Sequence, residues 1–102
     1  MEIVSEIGLP AMLGQLAEEA CELGQAALKL QRILMGTNPT PVSEGEARAD
    51  LLEEATDVDD CLDLLHHAGL ETYDASQSIR KMDRWRKRIA AAKEAREVGA
   101  NA

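Results

Sequence analysis

The chain has 102 residues, of which 45% are apolar and 29% charged, with a formal net charge of -8. A chain of this length fits one domain that buries roughly 65% of its unfolded surface, so the core is modest and self-association is a natural expectation. The acidic balance, without a contiguous Lys/Arg stripe, argues against wrapping a nucleic acid polymer, and no run approaches the ~18 apolar residues of a membrane span.

Aromatic residues make up 2% of the chain and Phe is absent, so the core must be built from Leu, Ala, Ile, Val and Met, as in helix bundles. Acid is unevenly spread: residues 1 to 63 hold 14 Asp/Glu against 3 Lys/Arg, and residues 71 to 97 hold 5 against 8. An acidic front suits a metal ion and a basic tail suits an anion. MEIVSEIGLP lacks the basic and apolar stretches of a signal peptide, so a cytoplasmic address is expected. Cys21 and Cys61 fit neither a disulfide framework nor a zinc knuckle and read as reduced structural thiols.

Pro10 suits a first helical turn, and Leu13, Leu16, Ala20, Leu23, Ala27, Leu30 and Leu34 follow at helical spacing, which predicts a first helix over 10–35. Residues 36–42 hold a glycine and two prolines and form a loop. Ser43 with Glu46 makes a capping box that opens a second helix, which ends near His67 with Gly69 as its left-handed stop. A third helix begins near Thr72 or Asp74 and passes through Ile79, Met82, Trp85 and Ile89 to about Glu97. The expected architecture is all-α: an antiparallel helical hairpin plus a third long helix in one domain over 1–98, with 99–102 a frayed tail.

Two acidic clusters stand out, Glu18-Glu19-Ala-Cys-Glu22 on the first helix and Glu53-Glu54-Ala-Thr-Asp57 on the second. An acidic run is ordinarily a solvated helix face. Angular position favours something more. Glu19 and Glu22 lie roughly 70° and 130° from the centre of their helix's apolar stripe, and Glu54 and Asp57 lie at roughly the same offsets on the same side of theirs. Antiparallel helices turn equal offsets either toward each other or both away. Counted from the loop, the two pairs also stand within ~3 Å of the same height. Four clustered carboxylates repel one another and raise each other's pKa, and a hard divalent cation offsets that cost. An all-oxygen set without His or Cys selects magnesium, with manganese as a substitute, over zinc. Glu19, Glu22, Glu54 and Asp57 are therefore the predicted metal ligands.

The EExxE of Glu18 to Glu22 and the ExxD of Glu54 to Asp57 on the next helix resemble the signature of the all-alpha nucleoside triphosphate pyrophosphohydrolases, the superfamily of MazG and the dimeric dUTPases. LEEATDVDDCLDLL, the glycine at the helix end and IRKMDRWRKRI are similar to its second and third segments, and the likeness covers roughly residues 13 to 90. The 31 residues between Glu22 and Glu54, more than in compact MazG-type domains, bear on the substrate subtype.

The resemblance implies cleavage of a (d)NTP to the monophosphate and pyrophosphate, in nucleotide-pool house-cleaning, by a homodimer or homotetramer whose helices complete a bundle around each site. Glu18, Glu19 and Glu22 are the catalytic candidates, and either Glu18 or a ligand carboxylate accepts the proton of the attacking water. Lys81, Arg84 and Arg88, at i, i+3 and i+7, are candidates for phosphate binding, although such a stripe also serves as a solvated face. Lys29, two turns beyond Glu22, is a further candidate. Trp85 reads as a packing residue, His66 and His67 as last-turn residues that suit the helix dipole, and Asp59, Asp60 and Asp63 as a solvated face. The rival is a non-catalytic acidic interaction or metal-binding module.

Overall fold

The computed structural model describes residues 2–36 and 39–101, which form four helices: α1 (Ile3–Ile7), α2 (Leu9–Met35), α3 (Glu44–His67) and α4 (Ala75–Asn101). The chain divides into two compact units, residues 1–72 and 73–102. No helix among the described residues is long and apolar enough to cross a membrane.

The ends of the hairpin helices follow from local chemistry. Pro10 sits in the first turn of α2, where its missing N–H would have had no partner. At the far end Gly36 adopts the left-handed conformation, φ 64°, and its N–H donates to the carbonyls of Arg32 and Ile33. Ser43 opens α3 by accepting the Glu46 N–H at 3.1 Å on its hydroxyl oxygen. Gly69, φ 98°, ends it: its N–H donates to His66 and the next N–H, of Leu70, reaches back to Leu65. His67 stays in the last turn, with Nδ1 2.8 Å from the Asp63 carbonyl and 3.5 Å from its carboxylate.

Two features depart from the expectation. The short helix α1 has no sequence counterpart, because five residues are too few to show a periodicity. It forms because Val4 packs on a core of Met12, Cys61 and Leu65, joined by Leu16 and Leu64. At the other end, the helix that was expected to stop near Glu97 continues through Gly99 to Asn101, since nothing after Glu97 forces a stop before the last residues.

The core of the first unit lies along the α2–α3 seam. Met12, Cys61 and Leu65 are buried at the end remote from the 36–42 loop, and Ala26, Leu30 and Ala47 are buried nearer to it. Cys61 is therefore a packed thiol, pushed above its ordinary pKa first by burial and then by the charges of Glu19, Asp57 and Asp60, whereas Cys21 is exposed.

The second unit is dominated by α4, which Asp74 caps by accepting the Gln77 N–H at 2.9 Å. That bond, with one from the Ser76 hydroxyl at 3.1 Å, holds the Asp74 carboxyl below its usual range. The apolar stripe of α4 is open: Ile79 is 70% exposed, and Met82, Trp85 and Ile89 are also exposed.

Candidate metal centre

Three pairings fix how α2 and α3 face each other. Lys29 lies 3.7 Å from Asp50, carboxylate oxygens of Glu22 and Glu54 lie within 4.8 Å of each other, and the charge of Asp57 acts on Glu19. Numbers that fall along α2 as they rise along α3 define an antiparallel pair. The acid pairs therefore stand at one level, between the two buried parts of the seam.

One carboxylate oxygen from each of Glu19, Glu22 and Glu54 lies within 4.8 Å of the others. Glu19 and Glu54 are half-buried and Glu22 is exposed, so the trio forms an edge open to solvent on one side. Glu19 Oε1 accepts from Gln15 Nε2 at 2.7 Å, one turn earlier on α2. Its other oxygen, Oε2, and Glu54 Oε2 are buried and have no hydrogen-bond partner. A buried acceptor left unsatisfied is costly, and two such oxygens on carboxylates of one cluster add to the repulsion there.

The donor set fits a hard cation. For metal–oxygen distances of ~2.1 Å, adjacent ligands of an octahedral ion stand ~3 Å apart and opposite ones ~4.2 Å apart, so a small closure of the trio matches magnesium. Three carboxylates without nitrogen or sulfur donors disfavour zinc.

Of the other predicted residues, Asp57 is half-buried beside Glu19 but lies outside the close trio. Glu18 is exposed and lies outside the close trio, and its charge adds to the rise of the Glu22 pKa. Lys29 lines the same groove as Glu22 and Glu54. Lys81, Arg84 and Arg88 are exposed on α4, in the second unit. Sequence reasoning passed over Gln15, Arg32 and Asp50. The signal for Gln15 was its i−4 spacing from Glu19, and for Arg32 its i+3 spacing from Lys29.

Electrostatics set the behaviour of the trio. The Glu22 carboxyl is raised first by its hydrogen bond with Glu54, next by the Glu54 charge and then by desolvation. The Glu19 carboxyl is raised first by desolvation, against the opposing Gln15 bond, and then by the charges of Glu22 and Asp57. Both groups hold protons more tightly in the folded chain than in the unfolded one. Their contribution to stability is therefore full below the ordinary value of 4.5 and is lost as pH rises through their raised values. His67, also raised, adds the same sign above 6.5. Metal-free protein should melt at a higher temperature near about pH 5 than near about pH 8, and saturating magnesium should remove most of the difference. Melts of wild type and Glu54→Gln check this: the variant should have the flatter profile, and a metal-free wild type that gains stability across that window would contradict the assignment.

No protein-family model, curated protein or solved structure matches the chain.

Proposed function

We propose that this chain is a magnesium-dependent nucleoside triphosphate pyrophosphohydrolase of the MazG-like kind. The observation that carries the reading is the trio of Glu19, Glu22 and Glu54, with two buried oxygens that no protein group satisfies. A bound magnesium ion supplies Lewis acidity toward phosphate oxygens and lowers the pKa of water. The remaining roles belong to the chain. Glu19, Glu22 and Glu54 hold the ion, with Asp57 next to Glu19 as the fourth carboxylate of the set. Gln15 holds one Glu19 oxygen and leaves the other to the ion.

In the reaction a water oxygen attacks the α-phosphorus, the α–β phosphoanhydride P–O bond breaks, and its electron pair leaves with pyrophosphate. The water's proton passes to Glu18 or to a free oxygen of a ligand carboxylate. Lys81, Arg84 and Arg88 on α4 are the phosphate-binding candidates, and by resemblance Lys81 and Arg84 match the family's basic positions best. House-cleaning of the nucleotide pool in the cytoplasm is the role that goes with this chemistry.

Self-association into a dimer or tetramer belongs to the same reading. The exposed stripe of Ile79, Met82, Trp85 and Ile89 on α4, with Leu52 70% exposed on α3, supports it, because helix bundles bury such stripes.

The test incubates purified protein with canonical and modified (d)NTPs and magnesium or manganese and measures pyrophosphate release. Turnover that stops on chelation is expected. Metal binding without turnover on any substrate points to a metal-binding module, and no metal effect at all points to an acidic interaction protein.

A further inference from the structure

The groove between α2 and α3, about 630 Å³ in volume, is polarised along its length. Glu22 and Glu54 line one end, and Lys29 and Arg32 line the other, with Gln25 between them on α2 and Asp50 opposite on α3. Glu22, Gln25, Lys29 and Arg32 follow at i, i+3, i+7 and i+10, one stripe of the helix. Lys29 and Arg32 stand ~10 and ~15 Å beyond Glu22 along the axis at ~1.5 Å per residue. Helical side chains lean toward the N terminus of their helix, which for α2 is the direction of Glu22. Lys29 shows this lean by reaching Asp50, and Arg32 lines both this groove and a second one with Ile33, Gly36 and Pro39.

The two cations are held differently. Lys29 is 3.7 Å from Asp50 in a pair about two-fifths exposed, which is worth little and is easily exchanged. Arg32 is half-buried and forms no salt bridge among the described residues. A guanidinium that lines a groove without an ion-pair partner among the described residues is available to an oxyanion, which its planar fork suits.

We infer that Lys29 and Arg32 form the cradle for the terminal phosphates of a metal-bound polyphosphate, with Arg32 the principal contact and Asp50 a resting counter-ion that the phosphate displaces from Lys29. This rests on the proposed hydrolytic reading and gives it a direction: the β and γ phosphates lie toward the loop end of α2. The leaving pyrophosphate is then the part the cradle holds. A monophosphate, which has no terminal phosphates to place there, binds weakly.

The experiment measures binding of inorganic pyrophosphate in the presence of magnesium by calorimetry, and of manganese alone by its spin resonance. Arg32→Gln should weaken pyrophosphate binding by tenfold or more and leave manganese affinity within about twofold, and Arg32→Lys should restore part of the loss. Asp50→Asn should tighten pyrophosphate binding several-fold, a gain that a misfolded variant cannot imitate. Arg48→Gln is the control, because Arg48 lies outside the groove and pairs with Glu44 at 3.1 Å. Equal effects of Arg32→Gln and Arg48→Gln, no pyrophosphate binding by wild type, or weaker binding in Asp50→Asn would each overturn the cradle. Arg32-dependent pyrophosphate binding without hydrolysis of any triphosphate would uphold the cradle and sink the hydrolytic reading. Turnover that is indifferent to Arg32 would do the reverse.

Discussion

On the proposed hydrolytic reading, Glu54→Gln is expected to lower magnesium-dependent turnover by on the order of 10³-fold, the scale at which removing one preorganised electrostatic contact to the reacting centre is felt. The substitution keeps the shape of the side chain and removes its charge, so packing along α3 is preserved. It also removes the group that most raises the Glu22 pKa. Two consequences of opposite sign follow. Without metal the variant should be more stable than wild type at neutral pH, because the repulsion at the trio is relieved. With metal it should gain much less stability than wild type, because one ligand is lost. Turnover assays and melts with and without magnesium read all three. A variant destabilised under every condition would mean that Glu54 is a structural acid, and a variant with full turnover would remove it from the site.

Leu65→Ala should be the most damaging single change to folding. Leu65 is fully buried at 0% exposure, in a cluster with Met12 and Cys61 that also seats α1. Truncation of a buried leucine costs about 2–5 kcal/mol in transfer and cavity terms. A domain of this size has a total stability of only about 5–15 kcal/mol, so the loss is a large share. The melting temperature should fall by roughly 4–8 °C for each kcal/mol lost. Urea titration and calorimetry measure it. Leu52→Ala is the comparison: at 70% exposure it should stay within about 0.5 kcal/mol in a lone chain. A large loss at Leu52 would place that face inside an assembly, and a small loss at Leu65 would contradict the core described here.

The hairpin is legible in the sequence because its signals are local. Pro10, the Leu/Ala spacing, Gly36, the Ser43–Glu46 cap and Gly69 each act over a turn or two of chain, and the observed ends of α2 and α3 lie within a residue or two of those expected. α1 was illegible for the converse reason: a single turn has no period of its own, and it is held by Val4 against residues up to some sixty positions away. Trp85 shows the same limit, since helical spacing placed it on an apolar stripe and could not say whether that stripe would be covered.

The site divides along the same line. The primary sequence determined that two acid pairs share equal angular offsets and equal height about a short loop, because both follow from helix geometry. Tertiary structure decided which oxygens meet. The register of α2 on α3 brings Glu19, Glu22 and Glu54 together, sets Asp57 just outside them, and places Lys29 opposite Asp50. A slip of one helical turn, ~5.4 Å, would leave every helix intact and separate the carboxylates. That register comes from burial of Met12, Ala26, Leu30, Ala47, Cys61 and Leu65 along the seam, a sum over distant residues that no local pattern contains.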